Sequence, residues 1–160
     1  MVEADLLSVL IGAIVVDTVI IGMNYGRFIF VSDELTNWYT TYRLSAMIMD
    51  VLIIVLYTII GLRCAETKDH LIKLFCIIGV QFVGDLLFYV FFTLLPEGAP
   101  IFDTFQRYSA EVGGHALWAD ALMMAGTYFT AHSLRNKTTD TKIFVLLIVL
   151  YISQYVLHIK

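Results

Sequence analysis

The chain lacks the sequence features of several common protein classes. Its 160 residues include only two cysteines, Cys64 and Cys76, and their spacing matches no common zinc or redox motif. We interpret them as two separate thiols, with a disulfide between them as the alternative. The sequence has no glycine-rich phosphate loop and no basic patch for nucleic acid. We therefore expect no nucleic-acid partner and no cofactor other than a bound cation.

Hydrophobic residues are instead abundant. They make up 59% of the chain, against about 45–50% in a typical soluble domain, and the mean hydropathy is +0.82. A helix needs about 20 apolar residues to cross a bilayer. Five stretches meet or approach that length: residues 6–25, 44–62, 71–95, 112–134 and 143–159. The sequence therefore predicts one all-α, multi-pass transmembrane domain over residues 1–160, with the lipid bilayer as its partner.

The distribution of basic residues predicts the orientation in the membrane. Glu3 and Asp5 precede the first span, where a signal peptide would carry basic residues, so we expect this span in the mature protein. One face holds more of the basic residues, namely Arg63, Lys68, Lys73, Arg135, Lys137 and Lys142, and the other holds Arg27, Arg43, Arg107 and Lys160. The positive-inside rule then predicts a cytoplasmic N-terminus and a non-cytoplasmic C-terminus.

Two connecting segments, residues 26–42 and 96–111, are rich in aromatic side chains. These are Phe28, Phe30, Trp38, Tyr39, Tyr42, Phe102, Phe105 and Tyr108. Aromatic rings favour the headgroup region of a bilayer. We therefore predict interfacial anchors, with a cap that captures a ligand over the bundle mouth as the alternative.

The last two predicted helices differ in composition. The fourth is rich in small residues: Gly113, Gly114, Ala116, Ala119, Ala121, Ala125 and Gly126. Small residues let helices approach closely in lipid, so we predict that this helix is the most buried. The fifth is almost uniformly large and aliphatic. We therefore predict a four-helix core with a peripheral C-terminal helix.

One aspartate lies inside each of the first four predicted helices: Asp17, Asp50, Asp85 and Asp120. Depth counted from one face, at 1.5 Å per residue, places the four carboxyls within about 6 Å of one level. Each such aspartate costs about 2.5–3.5 kcal/mol on insertion at the centre of a helix. We therefore predict that all four face the bundle interior as a ring or a cluster.

Lys73, at the start of the third span, is the one lysine or arginine inside the five predicted spans, and no basic residue lies near the depth of the aspartates. The carboxylate charge must then be relieved by protonation, by a bound cation or by a water-filled cavity. Other polar side chains extend the polar stripe or lie at its mouth: Asn24, Tyr57, Gln81, Tyr89, Glu111, His115 and Thr127. We predict that these support the aspartates, with His115 as either an interfacial side chain or a proton relay.

Two functions fit this pattern. The first is a channel or carrier whose four aspartates bind a cation or a proton, with the identity of any metal unknown. The second is a non-catalytic scaffold, in a homo-oligomer or a larger membrane complex, whose protonated aspartates hydrogen-bond between helices. We expect no enzyme, because the Gly-x-Gly-Asp motif of intramembrane aspartyl proteases is only half present, with Phe82 in place of its first glycine.

Overall fold

The computed structural model describes residues 5–28, 31–65, 69–95, 98 and 100–159, and within these ranges the regular secondary structure is entirely α-helical. The helices are α1 (Leu6–Tyr25), α2 (Asp33–Tyr42), α3 (Leu44–Cys64), α4 (His70–Leu94), α5 (Pro100–Val112), α6 (His115–Leu134) and α7 (Thr139–Val156). The predicted all-α class is confirmed. The two aromatic segments, expected as connections, contain the additional helices α2 and α5.

Four of these helices are long and apolar enough to cross a membrane: α1, α3, α4 and α7. They support a membrane protein. Helix α6, which occupies the predicted fourth span, is not among them. Its 20 residues include His115, Asp120, Thr127 and His132, and these polar side chains lower its hydropathy.

The long helices form a bundle with one helix on its outside. Helix α1 packs against α3 and α6, α4 packs against α3 and α6, and α7 packs against α1. Glycines permit the two closest contacts. A Cβ atom on Gly12 would lie 2.7 Å from the carbonyl oxygen of Thr127, and one on Gly61 would lie 2.4 Å from the Cα of Ile77. The backbones of α1 and α6, and of α3 and α4, therefore touch at these glycines.

The prediction that the helix of the fourth span is the most buried is wrong. Ten of the 20 residues of α1 are buried, against six of the 20 in α6. Helix α1 lies between α3, α6 and α7, so more of its surface is covered. The outer faces of α4 and α7 are apolar and exposed, as at Phe75 and Leu147, which suits contact with lipid.

The helix boundaries change two details of the sequence analysis. Helix α5 ends at Val112, and Gly113 then adopts a φ of +53°, a left-handed conformation that favours glycine. This turn separates α5 from α6. The helix predicted over residues 112–134 therefore begins at His115. Helix α7 begins earlier than predicted and includes Lys142, which is 7% exposed and donates to the carboxylate of Asp5. Basic residues therefore do occur near the ends of the long helices.

The short helices α2 and α5 pack against each other at one end of the bundle. The rings of Trp38 and Phe105 lie 4.9 Å apart. Arg107 Nε donates to Glu34 Oε1 over 2.9 Å. The Glu111 carboxylate accepts from the backbone N–H groups of Asp33 and Glu34 at 2.9 and 3.0 Å. The two helices are therefore joined by both apolar and charged contacts.

Candidate functional site

Tyr39 connects two of the four aspartates. Its hydroxyl oxygen lies 2.7 Å from Asp50 Oδ2 and 3.0 Å from Asp17 Oδ1. Trp38 Nε1 also donates to Asp50 Oδ2, over 3.2 Å. Asp17 and Tyr39 are almost fully buried. Helix α2 thus places two neighbouring side chains on carboxyls of α1 and α3.

The geometry around Tyr39 requires a proton on one of these carboxyls. A tyrosine hydroxyl has one hydrogen and can donate to only one oxygen at a time. Burial, followed by the charges of Asp17 and Asp50, raises the pKa of Tyr39 well above its usual value, so the phenol keeps its proton. Hydrogen bonds at both contacts therefore need one carboxyl that donates to the tyrosine oxygen. Because Asp50 already accepts from Trp38, Asp17 is the better donor.

The other two aspartates form a second pair. The carboxyls of Asp85 on α4 and Asp120 on α6 are close enough to interact, and a hydrogen bond between them would need one shared proton. Gln81, one turn before Asp85, donates its amide to Asp85 Oδ2. The same amide nitrogen lies 3.5 Å from the carbonyl oxygen of Leu117. The four aspartates thus lie as two pairs, each spanning two long helices.

Three of the aspartates line a large cavity between the helices. Its volume is about 1280 Å³, and Asp50, Asp85 and Asp120 lie in its wall. Asp17 lies behind Tyr39 and is 0% exposed. Typical ligand sites have volumes of about 300–1,000 Å³, so the cavity has room for an organic molecule as well as for water.

Tyr108 of α5 shows how close the carboxyls lie to one another. Burial, followed by the charges of Asp120, Asp50, Asp85 and Glu111, raises the pKa of Tyr108. Carboxyls from three long helices thus contribute to the raised pKa of this one phenol. The two pairs therefore belong to one electrostatic environment.

Some of the predicted supporting residues belong to this site and others do not. Tyr57, Gln81, Tyr89 and His115 all line the cavity. Glu111 also lines it, but its carboxylate caps α2 instead of pairing with His115. Asn24 accepts from the backbone N–H of Ser32 and donates to Thr36. Asn24 therefore holds α2 against α1 and is not part of the polar stripe.

Several buried polar atoms have no hydrogen-bond partner within the described residues. They are Asp17 Oδ2, Tyr57 Oη, Gln81 Oε1, Thr127 Oγ1, Tyr25 Oη and Glu34 Oε2. An unsatisfied buried group costs about 1–3 kcal/mol. Tyr57 and Gln81 also line the cavity. Their unpaired oxygens are available to a molecule bound there.

The sequence analysis missed Trp38, Tyr39 and Tyr108 as members of the site. Trp38 and Tyr39 are 4% and 2% exposed, so the prediction of interfacial anchors is wrong for them. Both have a polar atom that can reach a carboxyl, but no sequence pattern indicated the depth of either side chain. Phe28 is 80% exposed, as an anchor would be, and Phe30 lies outside the described residues.

Within the described ranges, no three His, Cys, Asp or Glu side chains converge in an arrangement that could hold a metal ion. Cys64 and Cys76 are free thiols. The chain matches no family model, no curated protein and no solved structure, so its function has to be inferred from this geometry.

Proposed function

We propose that this chain is a membrane carrier or channel that takes up and passes on protons or other cations through its four aspartates. The observation that carries the proposal is the contact of the Tyr39 hydroxyl with both Asp17 and Asp50. A proton on Asp17 can move to Asp50 by a concerted shift along these two hydrogen bonds. Asp50 lines the cavity, so the proton would reach a space that can hold water.

The second pair extends this route. Asp85 on α4 and Asp120 on α6 line the same cavity and can share a second proton. Each pair can therefore hold a proton, release it to water in the cavity and bind another cation in its place. Intramembrane carboxyls that face a cavity are characteristic of ion and proton pathways.

The proposal includes α6 as a fifth span. Helix α6 packs along α1, which is long and apolar enough to cross a membrane. Gly12 of α1 and Gly126 of α6 both support this contact, since a Cβ on Gly126 would lie 3.0 Å from Val16 Cγ2. Five spans, together with the basic residues, favour a cytoplasmic N-terminus and a non-cytoplasmic C-terminus. Lys68 and Lys160, which contribute to that reasoning, lie outside the described residues.

A scaffold role remains the alternative, and the same contacts favour it. Tyr39 joins α1, α2 and α3, and the Asp85–Asp120 contact joins α4 to α6. Interhelical hydrogen bonds of this kind contribute about 0.6–2 kcal/mol each in a membrane. Under this alternative the aspartates hold the bundle together and move no ion.

Proton flux into liposomes distinguishes the two functions. The purified chain is reconstituted into vesicles that contain a pH-sensitive dye, and a pH gradient is applied. We expect flux from the wild type and its loss in Asp50→Asn, Asp85→Asn and Asp120→Asn. Asparagine keeps the size and hydrogen-bonding capacity of a protonated aspartate but cannot release a proton. Asp140→Asn, at an exposed position in the first turn of α7, is the matched control.

Melting curves of the same variants in detergent complete the test. Flux that disappears while the melting temperature is retained supports ion handling. No wild-type flux under any proton or cation gradient, with unchanged melting in the three variants, would contradict it and favour the scaffold.

A further inference from the structure

The charges around the cavity select for a positive occupant. Its described lining contains five carboxyls but no lysine or arginine. Glu34 pairs with Arg107, and Glu111 caps the N-terminus of α2. The carboxyls of Asp50, Asp85 and Asp120 have no basic partner among the residues that line this space. These carboxylates would repel an anion in the cavity, and no lysine or arginine in the lining would offset the repulsion.

One wall of the cavity is a continuous series of aromatic rings. The Trp38 and Phe105 rings lie 4.9 Å apart, and Phe105 stacks on Phe92 at 4.7 Å. Phe88 continues the series and stacks on Phe92 at 5.9 Å. All four residues line the cavity. Such a wall can hold an apolar body, and the faces of its rings attract cations.

Two buried oxygens of uncharged side chains in the cavity wall lack hydrogen-bond donors. Gln81 is 0% exposed and Tyr57 is 6% exposed. Gln81 Oε1 and Tyr57 Oη are both unpaired within the described residues. The Gln81 amide nitrogen already contacts Asp85. The Gln81 amide oxygen can only accept a hydrogen bond. An occupant with N–H groups would satisfy an oxygen that a purely apolar molecule would leave unpaired.

We propose that the cavity binds a hydrophobic amine in its protonated, ammonium form. The ammonium group lies against the Asp85–Asp120 pair and Gln81 Oε1, and the apolar body lies against the aromatic wall. This inference rests on the proposed function, because it names the cation that the aspartates exchange for a proton. Ammonium-to-carboxylate hydrogen bonds are charge-assisted and about twice as strong as neutral ones.

Binding and protonation then compete for the same oxygens. The amine enters as ammonium, and the proton shared by Asp85 and Asp120 leaves to bulk water, so charge is balanced. The titratable groups around the site come from six helices: Asp17, Glu34, Tyr39, Asp50, Tyr57, Asp85, Tyr89, Tyr108, Glu111, His115 and Asp120. We expect amine affinity to fall as pH falls, because protons occupy the carboxyls.

Three probes with one carbon skeleton test the proposal. They are 4,4-diphenylbutylamine, the neutral 4,4-diphenylbutan-1-ol and the anionic 4,4-diphenylbutyrate. Binding is measured by titration calorimetry on the full chain in detergent, with empty micelles subtracted. We expect the amine to bind at least about tenfold more tightly than the alcohol, and the carboxylate more weakly than both. In weakly buffered solution, amine binding should also release protons.

Variants connect the selectivity to the site. Asp120→Asn should lower amine affinity at least about tenfold and abolish proton release, whereas Asp140→Asn should bind as the wild type does. Equal binding of the amine and the alcohol, or wild-type amine affinity in a folded Asp120→Asn, would overturn the proposal. Proton flux that persists in vesicles despite that result would leave the proposed function standing. The two failures can therefore be told apart.

Discussion

The hydroxyl of Tyr39 lies 3.0 Å from a carboxyl oxygen of Asp17, a side chain with 0% exposure whose other oxygen is unpaired within the described residues. Tyr39 comes from α2, which is too short to span a membrane, while Asp17 comes from the most buried long helix. The contact therefore connects the end of the bundle to its interior. Under the proposed function, the position of α2 determines whether Asp17 can exchange a proton with the cavity.

Tyr39→Phe should interrupt this connection. Phenylalanine keeps the ring but removes the hydroxyl that joins Asp17 to Asp50. Loss of a positioned proton-transfer group reduces a rate by about 10²–10⁴-fold, so we expect proton flux in vesicles to fall by at least about tenfold. The buried Asp17 also loses its partner, which lowers the free energy of unfolding by about 1–3 kcal/mol.

Tyr42→Phe is the control for this change. Tyr42 belongs to the same helix, and its ring lies 4.8 Å from that of Trp38. The variant removes one hydroxyl from α2 but leaves the Asp17–Tyr39–Asp50 contacts intact. If both variants retained wild-type flux, the proton route through Tyr39 would be wrong.

Gly61→Ala should destabilise the bundle more than Gly79→Ala. A Cβ on Gly61 would lie 2.4 Å from the Cα of Ile77, whereas one on Gly79 meets nothing within 4 Å. Overpacking a close contact costs about 1–3 kcal/mol, while alanine in an open helix position gains up to about 1 kcal/mol over glycine. Thermal unfolding in detergent should show a lower midpoint for Gly61→Ala alone. Equal midpoints would show that α3 and α4 do not touch here.

Helix content and some helix packing could be predicted from the sequence because they depend on long runs of apolar residues or of small residues. The apolar runs predicted α1, α3 and α4 almost to their ends, and the small residues placed α6 against another helix. The partner of each aspartate could not be predicted. Helical spacing relates Gln81 to Asp85 within one helix, but the contact of Tyr39 with Asp17 depends on how α2 folds back. Local periodicity contains no information about such a long-range contact.

The Glu111 carboxylate should make the attachment of α2 sensitive to acid. Burial acts to raise the pKa of Glu111, but hydrogen bonds from Glu34 N–H, Asp33 N–H and the Ser32 hydroxyl outweigh it and lower the pKa. A lowered folded-state pKa stabilises the contact above the unfolded value of about 4.3, and this stabilisation is lost as pH falls through the folded value. Glu111→Ala should therefore speed hydrogen exchange at Asp33 and Glu34 at neutral pH.

In the wild type the same two amides should lose relative protection in acid. The comparison is with Glu111→Ala at each pH, which removes the intrinsic pH dependence of exchange. The two proteins should differ at pH 7 and converge only as the pH falls through the lowered pKa of Glu111. A difference that persists unchanged in acid would mean that the carboxylate does not cap α2.

Asn136 reports the orientation. The sequence Asn136-Lys137-Thr138 is an N-glycosylation acceptor, and Asn136 is exposed between α6 and α7. The proposed topology places this turn in the cytoplasm, so the chain expressed in eukaryotic cells should show no shift on treatment with an N-glycosidase. A sequon introduced in the segment between α1 and α2, on the opposite face, is the positive control. Glycosylation of Asn136 would show that the orientation is the opposite of the proposed one.

The shared protons themselves can be observed by infrared spectroscopy, because a protonated carboxyl has a carbonyl-stretch band that a carboxylate lacks. Hydrogen bonds at both Tyr39 contacts, and one between the neighbouring carboxyls of Asp85 and Asp120, would each need one protonated carboxyl. In Asp17→Asn the new side-chain amide can donate to Tyr39 as a protonated carboxyl does, so this variant should lose one such band. Asp120→Asn should lose the other, the double variant both, and Asp140→Asn neither. A double variant that kept the wild-type bands would mean that neither pair holds a proton, and the proton route would have to be abandoned.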